Sequence, residues 1–413
     1  MDTITHGIVG ALAGRAFFVG CDLPAGSVEG ARLRSESDPT ARAAIAACTL
    51  GAIFPDIDVF AGPIARNPLA IMEWHRNVTH SLVMLPIWAL LLAAVSLPLA
   101  RWIGWKPPSF AKLVGIYAFG LGSHVFLDVA TNFGTMVWSP LNYSRAAWDW
   151  LFIVDLGFSG MALVPQFAAW CYRDPAKFAW RATIVGIMFT GGVYATYAVA
   201  DAAGYGFSIW VVVAVGALVA AILFVPALGG MGFRWRRASW CRVGMAALCV
   251  YVAFAAAAHR KALAYAEDFA SSHHLRVEKI AALPLPPTLT HWTGVINTPD
   301  GVWRTTFHVP GGALERAQLY ADAGSDRYVA EAEQLRDVQV YLWFARFPIW
   351  DVTQHEGQTV VDVTDVRFFR GEGSDPQQPR RVRGVRANAA GFTFEIVFDS
   401  VGHVISHGFK RPE

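Results

Sequence analysis

Residues 77–100 read NVTHSLVMLPIWALLLAAVSLPLA and hold no Asp, Glu, Lys or Arg. A helix needs about 20 mainly apolar residues to cross a bilayer, because lipid offers the backbone no hydrogen-bond partners. The stretch therefore predicts a transmembrane helix. Its polar start predicts that Thr79 caps the helix, which leaves His75 on the preceding loop and places His80 in the first turn.

Other apolar stretches of similar length predict that this helix is one of several. They are Thr3–Val19, Ala43–Ala61, Leu113–Leu127, Leu156–Tyr172, Ala182–Ala200, Ala202–Phe233 and Val243–His259. The composition agrees, since 54% of the 413 residues are hydrophobic and 16% are charged, against about 25% charged in a typical soluble protein. The sequence thus predicts an all-α polytopic membrane domain of about 7–8 helices in residues 1–260.

The composition changes after His259, where charges become frequent and Pro284-Leu285-Pro286-Pro287 prevents a helix from continuing. We predict a soluble, β-rich α+β domain in residues 261–413. Helical spacing of Leu314, Ala317 and Ala321 predicts one helix at about residues 312–337. The predicted strands are Val302–Val309, Val338–Phe347, Thr359–Phe369 and Gly391–Asp399.

The charge distribution bears on partners and on orientation. The 34 Lys and Arg against 32 Asp and Glu give a formal charge of +2, which provides no basic field, so we expect no nucleic acid as a partner. The Lys and Arg of the short loops gather in Cys21–Arg42, Arg101–Lys112, Arg173–Arg181 and Gly230–Arg242, which the positive-inside rule assigns to the cytoplasm. The alternate loops, the N-terminus and everything after Arg260 then lie on the outer side.

Four of the 12 histidines lie before Ala258, and each has a carboxylate nearby in the sequence or in the predicted topology. His124 and Asp128 are four residues apart, so they share one face of a helix. The four histidines and the nearby carboxylates all fall at the end of a predicted span, on the outer side. Imidazole and carboxylate ligands suit zinc, manganese or iron. The groups on this face, which predict a metal site, are His6, Asp56, Asp58, His75, His80, His124, Asp128, Asp149 and Asp155.

Each of these residues also has a simpler explanation, because a single His or Asp at a membrane interface is commonly a capping or snorkelling group. Asp56-Ile57-Asp58 alone would serve to cap a helix end. Ionisable groups at membrane depth are costly unless they are paired, so their convergence on one face favours a metal site. We expect Glu73, Arg76 and Asn77 to contact the ligands or the substrate and not the ion.

Several blocks of this sequence resemble the bacterial inner-membrane proteins of the YdjM/DUF457 type, to which metal-dependent hydrolysis is assigned by inference. The blocks are Met1-Asp2-Thr3-Ile4-Thr5-His6-Gly7, Phe54-Pro55-Asp56-Ile57-Asp58, His75-Arg76-Asn77-Val78-Thr79-His80-Ser81, His124 with Asp128, Phe133-Gly134-Thr135, Trp138-Ser139-Pro140 and Arg145 to Asp155. The resemblance covers roughly residues 1–157. It implies that the metal ligands are His6, Asp56, His75, His80, His124 and Asp128, with Asp2 and Asp58 as further candidates and with an open role for Asp149 and Asp155. The family is distantly similar to the zinc-dependent phospholipase C and single-strand nuclease group.

Together these observations predict a multi-pass protein of the bacterial inner membrane that binds a divalent metal, with zinc expected and manganese as the alternative. The predicted reaction is hydrolysis of a phosphoester or of a lipid-linked substrate at the outer interface, with Asp58 or Asp149 as the catalytic carboxylate that accepts a proton from water. The expected partners are membrane lipids. The alternative is a non-enzymatic, metal-stabilised membrane scaffold or transporter. The C-terminal domain is expected to be periplasmic.

Overall fold

The structure is a computed structural model, which describes residues 1–19, 39–202, 208–286, 289–312, 314–369, 381–382 and 392–410. Most of the predicted cytoplasmic loop Cys21–Arg42 lies outside these residues. The chain forms two compact units. The first unit comprises Met1–Pro55, Met84–Val125 and Leu156–Tyr251, and the second comprises Asp56–Val83, Phe126–Asp155 and Val252–Glu413. The second unit thus unites two loops and the C-terminal part, which the sequence predicts on one side of the membrane.

The N-terminal region is helical, as predicted. Its main helices are Thr3–Phe17, Pro39–Ile53, Leu85–Trp102, Phe110–Val129, Leu156–Cys171, Pro175–Ala202, Ile209–Leu228 and Arg237–Ser272, and the short helices are Ala61–Ala65, Ala70–Glu73 and Met231–Arg234. Within the described residues, 6 helices are long and apolar enough to cross a membrane. The helices Thr3–Phe17 and Leu156–Cys171 have 15 and 16 residues, and at 1.5 Å per residue each is shorter than the roughly 30 Å hydrocarbon layer.

Small residues bring the first two helices of the first unit together. A Cβ atom added to Gly10 would lie 2.6 Å from the Cβ atom of Ala52, and one added to Gly14 would lie 3.0 Å from the Cα atom of Ile45. Membrane helices associate through such small residues, because close backbone approach replaces the hydrophobic driving force that water would supply. The contact explains why Gly-Ala-Leu-Ala-Gly at residues 10–14 suits a packed helix.

The last helix, Arg237–Ser272, contains 36 residues and is therefore about 54 Å long, more than a bilayer requires. Its final part belongs to the second unit, where Phe269 and Ala270 pack against Ile296 and Phe307 of a sheet. This first sheet contains the antiparallel strands Lys279–Leu285, His291–Thr298, Gly301–His308 and Leu314–Ala321, with Arg381–Val382 added in parallel. The second sheet contains Pro348–His355, Gln358–Asp365, Thr393–Phe398 and Val404–Phe409, all antiparallel.

The β-rich character of the C-terminal part is confirmed, but two of its predicted elements are wrong. Residues 314–321, predicted as helical, form a strand, and the helices there are Arg327–Ala332 and Arg336–Phe344. The predicted strand Val338–Phe347 is mostly this second helix, which buries Val338, Tyr341 and Phe344 at helical spacing. The other predicted strands are found at nearly the predicted bounds.

Candidate metal centre

Asp56 and Asp58 lie on a 3-10 turn, Phe54–Phe60, that directly follows the helix Pro39–Ile53. Pro55 has no N–H group to donate, which favours the end of the α-helix at this point. The tight turn makes Asp56 buried and leaves Asp58 partly exposed. The two carboxylates therefore lie at the end of a span, as the sequence predicts.

The segment from His75 to Ser81 folds into a short turn, not into the start of a helix. The 3-10 turn Val78–His80 precedes the helix, which begins at Leu85 with Met84 as its N-cap. The predicted N-cap role of Thr79 is thus wrong, because its hydroxyl donates to Asp58 Oδ2 at 2.8 Å. The turn nevertheless leaves His75 on the loop and buries His80.

Two buried carboxylates of the second unit, Asp56 and Asp128, converge on the completely buried side chain of His80. Its Nε2 atom lies 3.3 Å from Asp56 Oδ1 and 3.3 Å from Asp128 Oδ2. The ligand atoms of these three residues lie within 4.8 Å of one another, and the same holds for Asp58, His75 and His80. The two groups share His80, and they provide the imidazole and carboxylate donors that zinc and manganese accept.

Asp58 connects the two histidines. Its Oδ1 atom lies 2.8 Å from His75 Nδ1, and its Oδ2 atom lies 3.2 Å from His80 Nδ1. Oδ2 also accepts the backbone N–H of Arg76 at 3.1 Å. A carboxylate that receives the Nδ1–H of an imidazole fixes the tautomer whose Nε2 lone pair is available to a metal. The contacts of Asp58 therefore suit a residue that orients ligands.

Arg76 is a buried cation beside the carboxylates. Its Nη2 atom lies 3.0 Å from Asp128 Oδ1, and its Nη1 atom donates to the hydroxyl of Thr131 at 2.9 Å. The backbone of Arg76 has a left-handed φ of 62°, which is uncommon for a residue with a side chain. The local conformation is held by the hydrogen bond from Met136 N to the Arg76 carbonyl at 2.9 Å. Arg76 neutralises part of the acidic charge.

The negative charge of the cluster affects the pKa values of its two histidines, His75 and His80. Burial lowers the pKa of His80, but hydrogen bonds to Asp128, Asp56 and Asp58 outweigh burial and raise its pKa to about 10. Burial also lowers the pKa of His75, and here the opposing effect of Asp58 is smaller, so the net shift is downward. The position of His80 thus favours positive charge, which is the electrostatic requirement of a cation site.

The remaining predicted histidine ligands, His6 and His124, belong to the first unit. Their rings are stacked with centroids 3.6 Å apart, and both side chains are completely buried. His124 Nδ1 donates to the carbonyl of Ala52 at 2.6 Å, which fixes the tautomer that carries its proton on Nδ1. Since the helix Phe110–Val129 is continuous, His124 lies one turn before Asp128, as the spacing predicts.

Three further predicted carboxylates have other surroundings. Asp2 is the N-cap of the first helix and accepts from the backbone N–H of Thr5 at 2.9 Å. Asp149 is bound by Arg346, whose Nη1 and Nη2 atoms lie 2.6 and 2.9 Å from its two oxygens. Asp155 is buried. The predicted catalytic roles of Asp58 and Asp149 stay predictions, and both carboxylates have hydrogen-bond partners in the protein.

The C-terminal part of the second unit packs directly on the loops that carry the cluster. The ring centroid of Phe133 lies 5.6 Å from that of His75 and 5.1 Å from that of Phe344. Arg367 donates from Nη1 to the carbonyl of Asn132 at 2.9 Å and from Nη2 to that of Phe344 at 3.0 Å. Phe133 thus separates the cluster from the core of the C-terminal part.

Arg145 adds a second buried guanidinium to this packing. It donates to the carbonyls of Gly134 and Met72, and its Cζ atom lies 5.0 Å from the ring centroid of Trp343. Burial lowers the pKa of Arg145 to about 9, and the nearby charges of Arg76 and Arg367 add to the shift. Phe133 and Arg145 occur in the blocks that carry the family resemblance, whereas nothing in the sequence pattern marked Arg346 or Arg367.

A hollow of about 650 Å³ adjoins the cluster. Asp58 and His75 form part of its wall, and the rest comes from residues 59–71. All of these residues belong to the second unit. One end of the buried cluster is therefore open to a space large enough for a small molecule or for part of a larger one.

The fold and this cluster define a class: a helical membrane protein with buried imidazole and carboxylate groups at the ends of its helices. Residues 1–204 match the model of the family described as YdjM inner membrane protein. The match confirms the resemblance to that family, and an inner-membrane location agrees with the apolar helices. Comparisons with curated proteins and with solved structures gave no match.

Proposed function

We propose that the protein is a membrane-bound, metal-dependent hydrolase that cleaves a phosphoester or a lipid-linked substrate. The convergence of Asp56, His80 and Asp128 within 4.8 Å in a buried environment carries the proposal. Three carboxylates, including Asp58, around one imidazole are expensive to bury without a compensating cation. Arg76 supplies one positive charge, and a divalent ion that displaces the proton of His80 would supply the two charges that balance the other carboxylates.

The residues have separate parts in this proposal. Asp56, His80 Nε2 and Asp128 would hold the ion, and His124, one turn before Asp128 on the same helix, stays a predicted ligand. A divalent cation held there, zinc or manganese, would supply Lewis-acid polarisation of the scissile ester. Asp58 orients His75 and His80, as its hydrogen bonds to both Nδ1 atoms indicate. His6 supports His124 through ring stacking.

Access to the cluster supports a catalytic site over the alternative, a metal-stabilised scaffold or transporter. A structural metal site is closed by protein ligands, whereas a catalytic site keeps a position for water or substrate. Asp58 and His75 line the hollow, so the second ligand group is reachable from it. Arg76 lowers the negative charge that an anionic substrate would meet on approach.

The test combines metal analysis with a substrate screen on full-length protein purified in detergent without chelator. The wild type is expected to retain a divalent metal and to hydrolyse at least one phosphodiester or phospholipid, and His80→Ala is expected to lose both properties. His355→Ala, at an exposed strand position, is the matched control. A wild type without metal that cannot rebind it rejects the site. Retained metal without hydrolysis of any tested ester favours the scaffold.

A further inference from the structure

The hollow beside the cluster has two kinds of wall. Val59, Pro63 and Ile71 contribute apolar surface, Arg66 contributes a cation, and Asp58 and His75 lie at the side of the metal ligands. An apolar pocket with few convergent polar groups is the usual form of a small-molecule site. The arrangement suits a ligand with one anionic group and an apolar remainder.

Arg66 has features that point to a ligand. It is exposed, and in the part of the chain that the structure describes no carboxylate forms an ion pair with it. Its backbone φ is 51°, in the left-handed region that glycine or asparagine adopts with less strain. The backbone N–H of Arg66 closes the short helix Ala61–Ala65, so the turn fixes the residue at the edge of the hollow.

The segment around the hollow also exposes large apolar side chains. Phe60 and Ile64 are 67% and 82% exposed, and Trp74 lies in the sequence between Ile71 and His75, which both line the hollow. Phe60 and Ile64 lie in the last part of the apolar span Thr40–Ala65, and aromatic residues are common at the interface between a membrane and water. The exposed apolar side chains beside the hollow thus favour the approach of an amphiphile from the bilayer.

We infer that the hollow binds a phosphate-bearing amphiphile, with its phosphate at Arg66 and its apolar part against Val59, Pro63 and Ile71. A guanidinium recognises phosphate oxygens through paired, charge-assisted hydrogen bonds. The inference rests on the proposed function only for the orientation of the bound ligand, whose ester would face His75 and Asp58. It names the substrate class of that site and a residue that selects it.

The test labels the hollow in nanodiscs that contain equal amounts of phosphatidylglycerol and diacylglycerol. The full chain carries p-benzoylphenylalanine at Ile71, and the cross-linked lipids are identified by mass spectrometry. We expect the phosphate-bearing lipid to dominate the adducts, and we expect Arg66→Ala to reduce this preference about tenfold, as loss of a charge-assisted hydrogen bond would. Arg66→Lys should retain part of the preference. The same photoprobe at Val59 provides an independent position if the Ile71 variant does not fold.

Two controls define the background. The photoprobe at Ile87, an exposed position of the helix Leu85–Trp102, should label both lipids alike, and Arg276→Ala should leave the preference at Ile71 unchanged. Equal labelling of both lipids at Ile71, or a preference that survives Arg66→Ala, overturns the inference. Labelling at Ile71 that does not exceed the background, together with binding of inorganic phosphate that Arg66→Ala abolishes, also overturns the amphiphile and identifies free phosphate as the ligand.

Labelling requires no turnover, so the outcome separates this inference from the proposed function. Selective labelling at Ile71 in a protein that hydrolyses nothing supports the binding site and counts against the hydrolase. Hydrolysis of a phosphoester without selective labelling at Ile71 supports the hydrolase and overturns the role of the hollow and of Arg66.

Discussion

Arg346 donates hydrogen bonds to both carboxylate oxygens of Asp149, at 2.6 and 2.9 Å. Burial opposes the charge of Arg346, but the contacts with Asp149 outweigh it and raise the pKa of the guanidinium. The pair joins the loop after the helix Phe110–Val129 to the C-terminal part of the second unit. The C-terminal part is thus a support for the loops that carry the candidate site.

Removal of either member of this pair should destabilise the second unit. We expect Asp149→Asn and Arg346→Gln each to cost about 1.5–3 kcal/mol, the usual range for a hydrogen bond to a charged group. Thermal unfolding in detergent measures the loss, and the double variant should cost less than the sum of the two single changes. If Asp149→Asn instead abolishes hydrolysis at unchanged stability, while Arg346→Gln does not, Asp149 is the catalytic carboxylate.

The helical region was predictable because membrane spans follow from composition and length, without knowledge of distant contacts. The C-terminal part was harder, since local preference and tertiary contacts disagree there. Residues 314–321 contain good helix formers, yet their backbone completes the sheet beside Gly301–His308. Val338 and Tyr341 favour strands, but burial of one face in the core selects a helix. Tertiary packing overrides such propensities.

The candidate site could be predicted in part for the same reason. His124 and Asp128 lie on one helix, so their spacing alone places them on one face. The convergence of Asp56 and His80 followed from the alternation of loops across a membrane. The role of Asp58 in orienting His75 and His80 depends on the conformation of two short turns, and no periodic sequence pattern encodes that conformation. Arg346 and Asp149 are far apart in the chain, so no local sequence pattern predicts that they form a pair.

Asp58→Asn should weaken metal binding without removing a primary ligand. The amide nitrogen of Asn cannot accept, so one of the two imidazole Nδ1–H groups loses its acceptor and the imidazole loses its fixed orientation. We expect about a 10–100-fold loss of metal affinity, measured by competition with a chelator of known affinity. Asp56→Asn is the comparison, and its loss should be larger. Equal losses in both variants would identify Asp58 as a direct ligand, and wild-type affinity in Asp58→Asn would contradict the orienting role.

The orientation of the chain follows from the Lys and Arg of its loops. We expect Arg101–Lys112 and Gly230–Arg242 to face the cytoplasm and the C-terminal part to face the periplasm. Fusion of alkaline phosphatase after Glu413 should give high activity, and fusion of a fluorescent protein that matures only in the cytoplasm should give a weak signal. The opposite pair of results would place the cluster and the hollow at the cytoplasmic face.

Asp128→Asn should abolish hydrolysis and metal retention, and it should also destabilise the protein. The side chain of Asp128 is completely buried and lies against both His80 and Arg76, so the change removes an anionic ligand and the partner of a buried cation. Removing one partner of a buried ion pair costs about 3–5 kcal/mol, so part of the lost activity would come from lost stability.

The double variant Arg76→Gln with Asp128→Asn separates the two effects. It removes both charges, so we expect thermal stability to recover most of what Asp128→Asn loses, whereas metal binding and hydrolysis stay absent. Arg76→Gln alone should keep the ligands and retain the metal. A double variant that regains metal and activity would show that Asp128 serves only to neutralise Arg76, and the ligand assignment would then be wrong. Metal content, melting temperature and hydrolysis measured on the same preparations decide between these outcomes.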